Sequence, residues 1–155
     1  MTIRFAQASD MPHLLDLGQR MHQLTRFSGQ PFEPGRLQAS LEHLLGNPDG
    51  RYAFLVADSA GRAVGALIGV MERQIFSAVD TASVMHFDVL PEFRMGGHGV
   101  RLLRAFERWA KNRRAFEISF GTNSGIEIDT LRRFATRMGY AKVGENYVLP
   151  GTEAA

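Results

Sequence analysis

The chain has 155 residues, 45% of them apolar and 22% charged, with a net charge of +2 and no cysteine. That length suits one domain, the composition is that of a folded rather than a disordered chain, and the missing cysteine excludes disulfides, thiolate metal sites and a thiol nucleophile. The charge is uneven. Seven basic residues fall between Arg94 and Arg114 against one acid, Glu107, which points to an anionic ligand or to a solvated helix face.

Thr2 to Ala6 reads as a strand. Ser9 is placed to cap a helix that carries Leu14, Leu15, Leu17, Met21 and Leu24 at helical spacing and ends near Thr25. RFSGQPFEPG is a loop by its Gly and Pro content. A second helix follows, with Leu37, Leu41, Leu44 and Leu45 on one side, and GNPDG stops it. YAFLVAD and RAVGALIGVM form a hairpin about Ser59-Ala60-Gly61, and TASVMHFDVL is a third strand ended by Pro91. GGHG opens a long helix with an apolar stripe of Leu102, Leu103, Phe106, Trp109 and Ala110. FEISFG is a strand, and IEIDTLRRFATRM is a helix closed by Gly139. Tyr140–Val143 and Asn146–Leu149 read as two short strands, and residues 151–155 as a frayed tail. The expected fold is a single mixed α/β domain over residues 1–150, in the order β-α-α-β-β-β-α-β-α-β-β. No apolar run approaches the roughly 20 residues that span a bilayer, and MTIRFAQASD lacks the apolar stretch of a signal peptide, so a cytoplasmic protein is expected.

The most informative stretch is FDVLPEFRMGGHGVRLLRAF, where a strand leads through a glycine-rich bend into a helix. Glycines let backbone approach a ligand closely, and a helix N-terminus offers free N–H groups and a positive dipole end, so this unit is a phosphate cradle or a turn that merely needs glycine. No Gly-Lys-Ser/Thr follows, which excludes a P-loop, and Gly96, Gly97 and Gly99 do not form the dinucleotide GxGxxG.

Arg94-Met95-Gly96-Gly97-His98-Gly99 resembles the R/Q-x-x-G-x-G/A motif of the GNAT superfamily of N-acetyltransferases, and Val89-Leu90-Pro91-Glu92-Phe93 resembles its lead-in. Phe134 through Gly139-Tyr140 is similar to the family's downstream ending, and the element order matches over residues 2 to 149. The resemblance implies acetyl-CoA as cosubstrate. On that likeness the backbone at Phe87 and Val89 pairs with pantetheine. The N–H groups of Met95, Gly96, Gly97, His98, Gly99 and Val100 hold the pyrophosphate, and Arg94 braces the loop or touches phosphate. Arg101 and Arg104 reach the 3′-phosphate or are plain surface. Asn123 and Ser124 meet the pantetheine arm or cap a helix.

The chain departs from the family pattern at Ala135, where many relatives carry a tyrosine that protonates the leaving thiolate. Tyr140 and Tyr147 are placed for packing. His86 and Asp88 share a face of their strand by parity, unless a bulge intervenes, and either acts as general base or forms a structural pair. His22, Phe27, Phe32 and Glu33 lie where this superfamily borders its acceptor. Glu33 would attract a cationic amine there, or Phe27 and Phe32 would plug the core. His98 is expected to point outward, and His13 and His43 to lie on helix surfaces. No spacing suggests a metal.

Three functions follow in order of preference. The first is acetyl transfer to a primary amine by direct attack, with strand N–H groups near the thioester oxygen, because no acyl-enzyme nucleophile is evident. The second is a non-catalytic acyl-CoA-binding or sensor module. The third is nucleic-acid binding through Arg101, Arg104, Arg108 and Lys111. The acceptor is open among polyamines, aminoglycosides, amino acids, peptide N-termini and lysine side chains, and a homodimer is compatible with the fold.

Overall fold

Every long apolar run of the middle sequence is spent on three adjacent strands, and the helices cover the two faces those strands create. The structure is a computed structural model that describes residues 1–47 and 49–151. Its order is β1 (Thr2–Phe5), α1 (Met11–Leu24), α2 (Pro34–Gly46), β2 (Tyr52–Ser59), β3 (Arg62–Arg73), β4 (Asp80–Val89), α3 (His98–Asn112), β5 (Ile118–Ser119) and α4 (Ile128–Met138). One five-stranded sheet runs β1-β2-β3-β4-β5, antiparallel except for the parallel β4–β5 pair.

Alternation along the strands sorts side chains to two faces. Leu55, Val64 and Leu67 join Leu102, Leu103 and Phe106 of α3 in the larger core. Phe54, Val56 and Ile68 meet Leu14 of α1 and Leu41 of α2 on the other face. Phe106 is fully buried because Gly69 makes room for it: a Cβ at Gly69 would lie 2.1 Å from the Phe106 ring.

At the N-terminus, Ser9 is not the cap. A short 3-10 turn, Ala8–Asp10, precedes α1, and buried Asp10 does the work. Its carboxylate accepts the Gln7 N–H at 2.8 Å and two bonds from the Arg4 guanidinium at 2.7 and 2.8 Å. Arg4 also donates to Asp58 at 2.9 Å, so one guanidinium joins β1, β2 and the start of α1. A charged group that accepts donors from backbone and arginine together satisfies itself better than a serine hydroxyl would.

The two strands expected after Gly139 do not form. Residues 140–151 pair with no strand, and Val143, Tyr147 and Leu149 stand exposed at 90, 86 and 94%. Alternation alone does not make a strand; it needs an edge to pair with and a face to bury. The neighbouring β5 keeps only Ile118 and Ser119 of the expected FEISFG run. Tyr147 therefore does no packing. Of the tail, 152–155 lie outside the described residues, as does Pro48 of the GNPDG breaker.

Candidate functional site

β4 changes register halfway along its length. Ile68 pairs with His86 but Gly69 pairs with Val84, which leaves Met85 as an extra residue. Such a bulge swaps the two faces of a strand beyond it. Before the bulge, Ala82 and Val84 face the α3 core. After it, Phe87 and Val89 face that core, and His86 and Asp88 turn toward α1 and α2. The shared face of His86 and Asp88 survives, and it lies opposite to where unbroken parity would put it.

The bulge also re-aims the backbone. Ala82 N–H donates to Glu117 of the β5 side at 2.9 Å, whereas Leu90 N–H donates to Val64 of β3 at 2.9 Å. Antiparallel alternation then puts the N–H and C=O groups of Phe87 and Val89 on the edge away from β3. That edge is open, because β5 pairs with β4 only at Ala82 and Ser83. The two strands part there, and a wedge opens in which the backbone of β4 pairs with no strand, the Val89 carbonyl accepting from the Arg94 side chain instead.

The wedge leads to the glycine bend. Pro91–Gly96 winds as a 3-10 turn, Gly97 takes φ +76°, and α3 starts at His98. A side chain at Gly97 would meet no neighbour but would have to adopt a left-handed backbone, which costs about 1–2 kcal/mol for an L-residue. Arg101 N–H bonds Gly97 C=O at 3.1 Å, so the N–H groups of His98, Gly99 and Val100 precede the first bond of the helix and stand free for an anion.

His98 does not point outward. Its ring is buried, edge-on to Phe93, with Nδ1 2.9 Å from the Phe93 carbonyl. The imidazole thus fixes the bend from inside and leaves only its backbone to the cradle. Arg94 donates from Nε to Val89 C=O at 3.0 Å and from Nη1 to Glu127 at 2.7 Å. It braces the loop across the wedge, from β4 to the start of α4. Arg101 is exposed, while Arg104 donates to buried Glu107 at 2.7 Å.

Across the wedge, Arg26 ties the end of α1 to the loop after β5. Its Nε donates to Asn123 C=O at 2.8 Å, its Nη2 to the Asn123 side chain at 3.1 Å, and its N–H to Ser124 C=O at 2.9 Å. Asn123 caps nothing; Glu127, in a left-handed conformation, sits at the start of α4. Sequence reading missed Arg26 and Glu127, because nothing local to either residue signals a partner 97 or 33 positions away.

On the far side of β4, α1, α2 and the sheet bound a half-open cavity of about 140 Å³. His86 and Asp88 lie on its wall, and the rest is almost wholly aliphatic or aromatic. Burial pushes the Asp88 carboxyl above the usual carboxylate range, with His86 and Arg94 pulling weakly the other way. Among the described residues this cavity does not include His22, Phe27 or Glu33. His22 packs on Phe32 at 5.5 Å, Glu33 is exposed, and Phe27 lies half-exposed under the Arg26 guanidinium rather than in the core. His13 is half-buried with an unpartnered Nδ1, and His43 is exposed beside Tyr52.

Ala135 offers no hydroxyl, and Tyr140 does not replace it. The Tyr140 hydroxyl donates to Glu107 at 3.1 Å, and burial with that neighbouring carboxylate raises its pKa, which makes it a poor acid. Among the described residues no group of three or more His, Asp or Glu could hold a metal ion, and no helix is long and apolar enough to cross a membrane.

The fold has well-matched solved relatives. An aminoglycoside 6'-N-acetyltransferase AAC(6')-IG from Acinetobacter haemolyticus superposes with a TM-score of 0.76 at 16% identity, over 99% of this chain and 100% of that one. AAC(6')-Iy, solved with the bisubstrate analog CoA-S-monomethyl-acetylneamine, gives 0.76 at 20% identity over 97% of both chains. A ribosomal-protein-alanine N-acetyltransferase from Brucella melitensis biovar Abortus 2308 gives 0.72 at 19%, over 97% of this chain and 100% of that one. No curated protein matches the sequence. The sequence model of the acetyltransferase (GNAT) family matches residues 18–140, which takes in the bulged strand, the glycine bend and α4, and the chain belongs to that family of N-acetyltransferases.

Proposed function

We propose that the protein transfers the acetyl group of acetyl-CoA to a primary amine by direct attack. The observation that carries this reading is the open edge of β4 at Phe87 and Val89, which runs into the free N–H groups of α3. An extended pantetheine finds amide partners on that edge, as an added strand would. A pyrophosphate finds the helix N-terminus at its end. Crystallisation of the structural relative AAC(6')-Iy with a CoA-linked bisubstrate analog supports the choice of cosubstrate. The absence of cysteine suits the reducing cytoplasm to which we assign the protein.

In this scheme Asp88, with the exposed His86 beside it on the same face, accepts the ammonium proton of the acceptor directly or through water. The neutral nitrogen attacks the thioester carbon, the N–C bond forms, and the C–S bond breaks. The CoA thiolate departs with the electron pair and takes up the second proton lost by the attacking nitrogen, which leaves a neutral amide and the CoA thiol. A thiol has a pKa of about 8.5, so the thiolate leaves near neutrality with little help from an acid. Ala135 in place of a tyrosine is tolerable on this account.

Titration calorimetry of acetyl-CoA into the purified protein tests the reading. Binding to the wild type should fall at least a hundredfold in Gly97→Glu, whose carboxylate faces the pyrophosphate. Gly97→Asn tolerates the left-handed backbone without adding charge and should retain most of the affinity. Failure of folded wild-type protein to bind acetyl-CoA would overturn the proposal. Binding without turnover of any amine would favour the sensor reading, for which Ala135 is the one favouring observation.

A further inference from the structure

We infer that the acceptor is a primary amine with a compact apolar tail, a phenylalkylamine or an alkylamine of about six carbons, whose tail fills the cavity between α1, α2 and the sheet and whose ammonium lies against Asp88. This rests on the acetyl-transfer reading above and narrows its substrate class.

The cavity is about 140 Å³, and an apolar hole of about 150 Å³ accepts a benzene ring. Leu14, Leu17 and Met21 of α1, Leu41 and Leu44 of α2 and Ile68 of β3 supply its apolar wall. Ser40 is exposed, and its hydroxyl is spent on the Arg36 carbonyl at 3.0 Å, so it offers the ligand no strong polar demand. The other polar groups, His86 and Asp88, come from one strand, two residues apart on the bulged half of β4. A ligand that satisfies both kinds of wall is an amphiphile with one cation and one short apolar body. A polycation or a polyhydroxylated amine would leave its remaining polar groups buried against leucines, at a cost each hydrogen bond to water had previously covered. Burial holds the Asp88 carboxyl above the range of a surface carboxylate, and a bound ammonium would bring it back down by supplying the counter-charge that solvent does not.

The test is a calorimetric series of butylamine, pentylamine, hexylamine, benzylamine and phenethylamine on wild type, Ser40→Trp, Ala66→Leu and Asp88→Asn, each with and without CoA. Spermidine and kanamycin serve as polycationic controls. Acetyl-CoA is titrated into the same preparations, and acetylation is followed by thiol release. Affinity should rise about fourfold per methylene up to hexylamine. Ser40→Trp, at the exposed rim, and Ala66→Leu, opposite Asp88 in the strand pairing, should flatten that slope while acetyl-CoA affinity holds. Asp88→Asn should weaken every amine at least tenfold and leave the slope unchanged. A flat chain-length series, a slope indifferent to both filling variants, or preference for spermidine or kanamycin over hexylamine would overturn the inference. The amine titrations without CoA read the cavity by themselves, so a failure of acetyl-CoA to bind would sink the acetyl-transfer reading separately.

Discussion

On the proposed mechanism, Asp88 is the residue at which stability and chemistry pull apart. Its carboxyl is desolvated by the elements around the cavity, so its proton leaves at higher pH in the folded protein than in the unfolded chain. Between those two pKa values the folded state binds more protons, and stability falls as pH rises through that window. Asp88→Asn should therefore raise the melting temperature at pH 7 by a few degrees, while lowering kcat by about 10²–10⁴ if the carboxylate is the base. In the wild type, kcat/KM should rise with pH through a step above the ordinary carboxylate range, and that step should vanish in Asp88→Asn. A variant that loses stability and keeps its pH step would contradict the assignment. The sequence disclosed that His86 and Asp88 share a face but not which one, because Met85 carries no mark of a bulge. Only the pairing of Ile68 with His86 and Gly69 with Val84 reveals it.

Among the elements, the α1 start and the β3–α3 contact carry separate predictions. Asp10 is held below the usual carboxylate range, chiefly by its bonds from Arg4, and burial opposes this only in part. Its stabilisation is complete above the unfolded pKa and disappears as pH falls through the lower folded value. Asp10→Ala should cost about 2–3 kcal/mol at pH 7, and chemical denaturation should show the gap to wild type closing in acid. Gly69→Ala should cost about 1–3 kcal/mol, since the new Cβ lands on the Phe106 ring, and Phe106→Leu should recover part of that loss in the double variant. The glycine bend was legible because strand, glycines and amphipathic helix are contiguous. The Arg26–Asn123 clamp and the Arg94–Glu127 brace were not, because both join segments far apart in the chain. The two strands expected after Gly139 fail for a related reason: the pattern of apolar residues was present, but the partner edge was not.

For the whole molecule, periodicity sufficed for the helices, the hairpin and the sheet through β4, because each buries a face that its own sequence specifies. The proposed function rests on what periodicity does not specify, the place where two strands stop pairing. β4 and β5 separate after Ser83, and the free edge of β4 then passes directly to the N-terminus of α3. If acetyl-CoA lies there, saturating ligand at about a hundred times Kd should stabilise the fold by about 2.7 kcal/mol. The most direct test of the placement is amide hydrogen exchange with and without CoA, resolved to single residues by NMR. The account predicts that Phe87, Val89, His98, Gly99 and Val100 exchange readily in the free protein and become protected together when CoA binds. Protection confined to the exposed basic stripe of α3, Arg101, Arg104, Arg108 and Lys111, with no change at Phe87 and Val89, would contradict it.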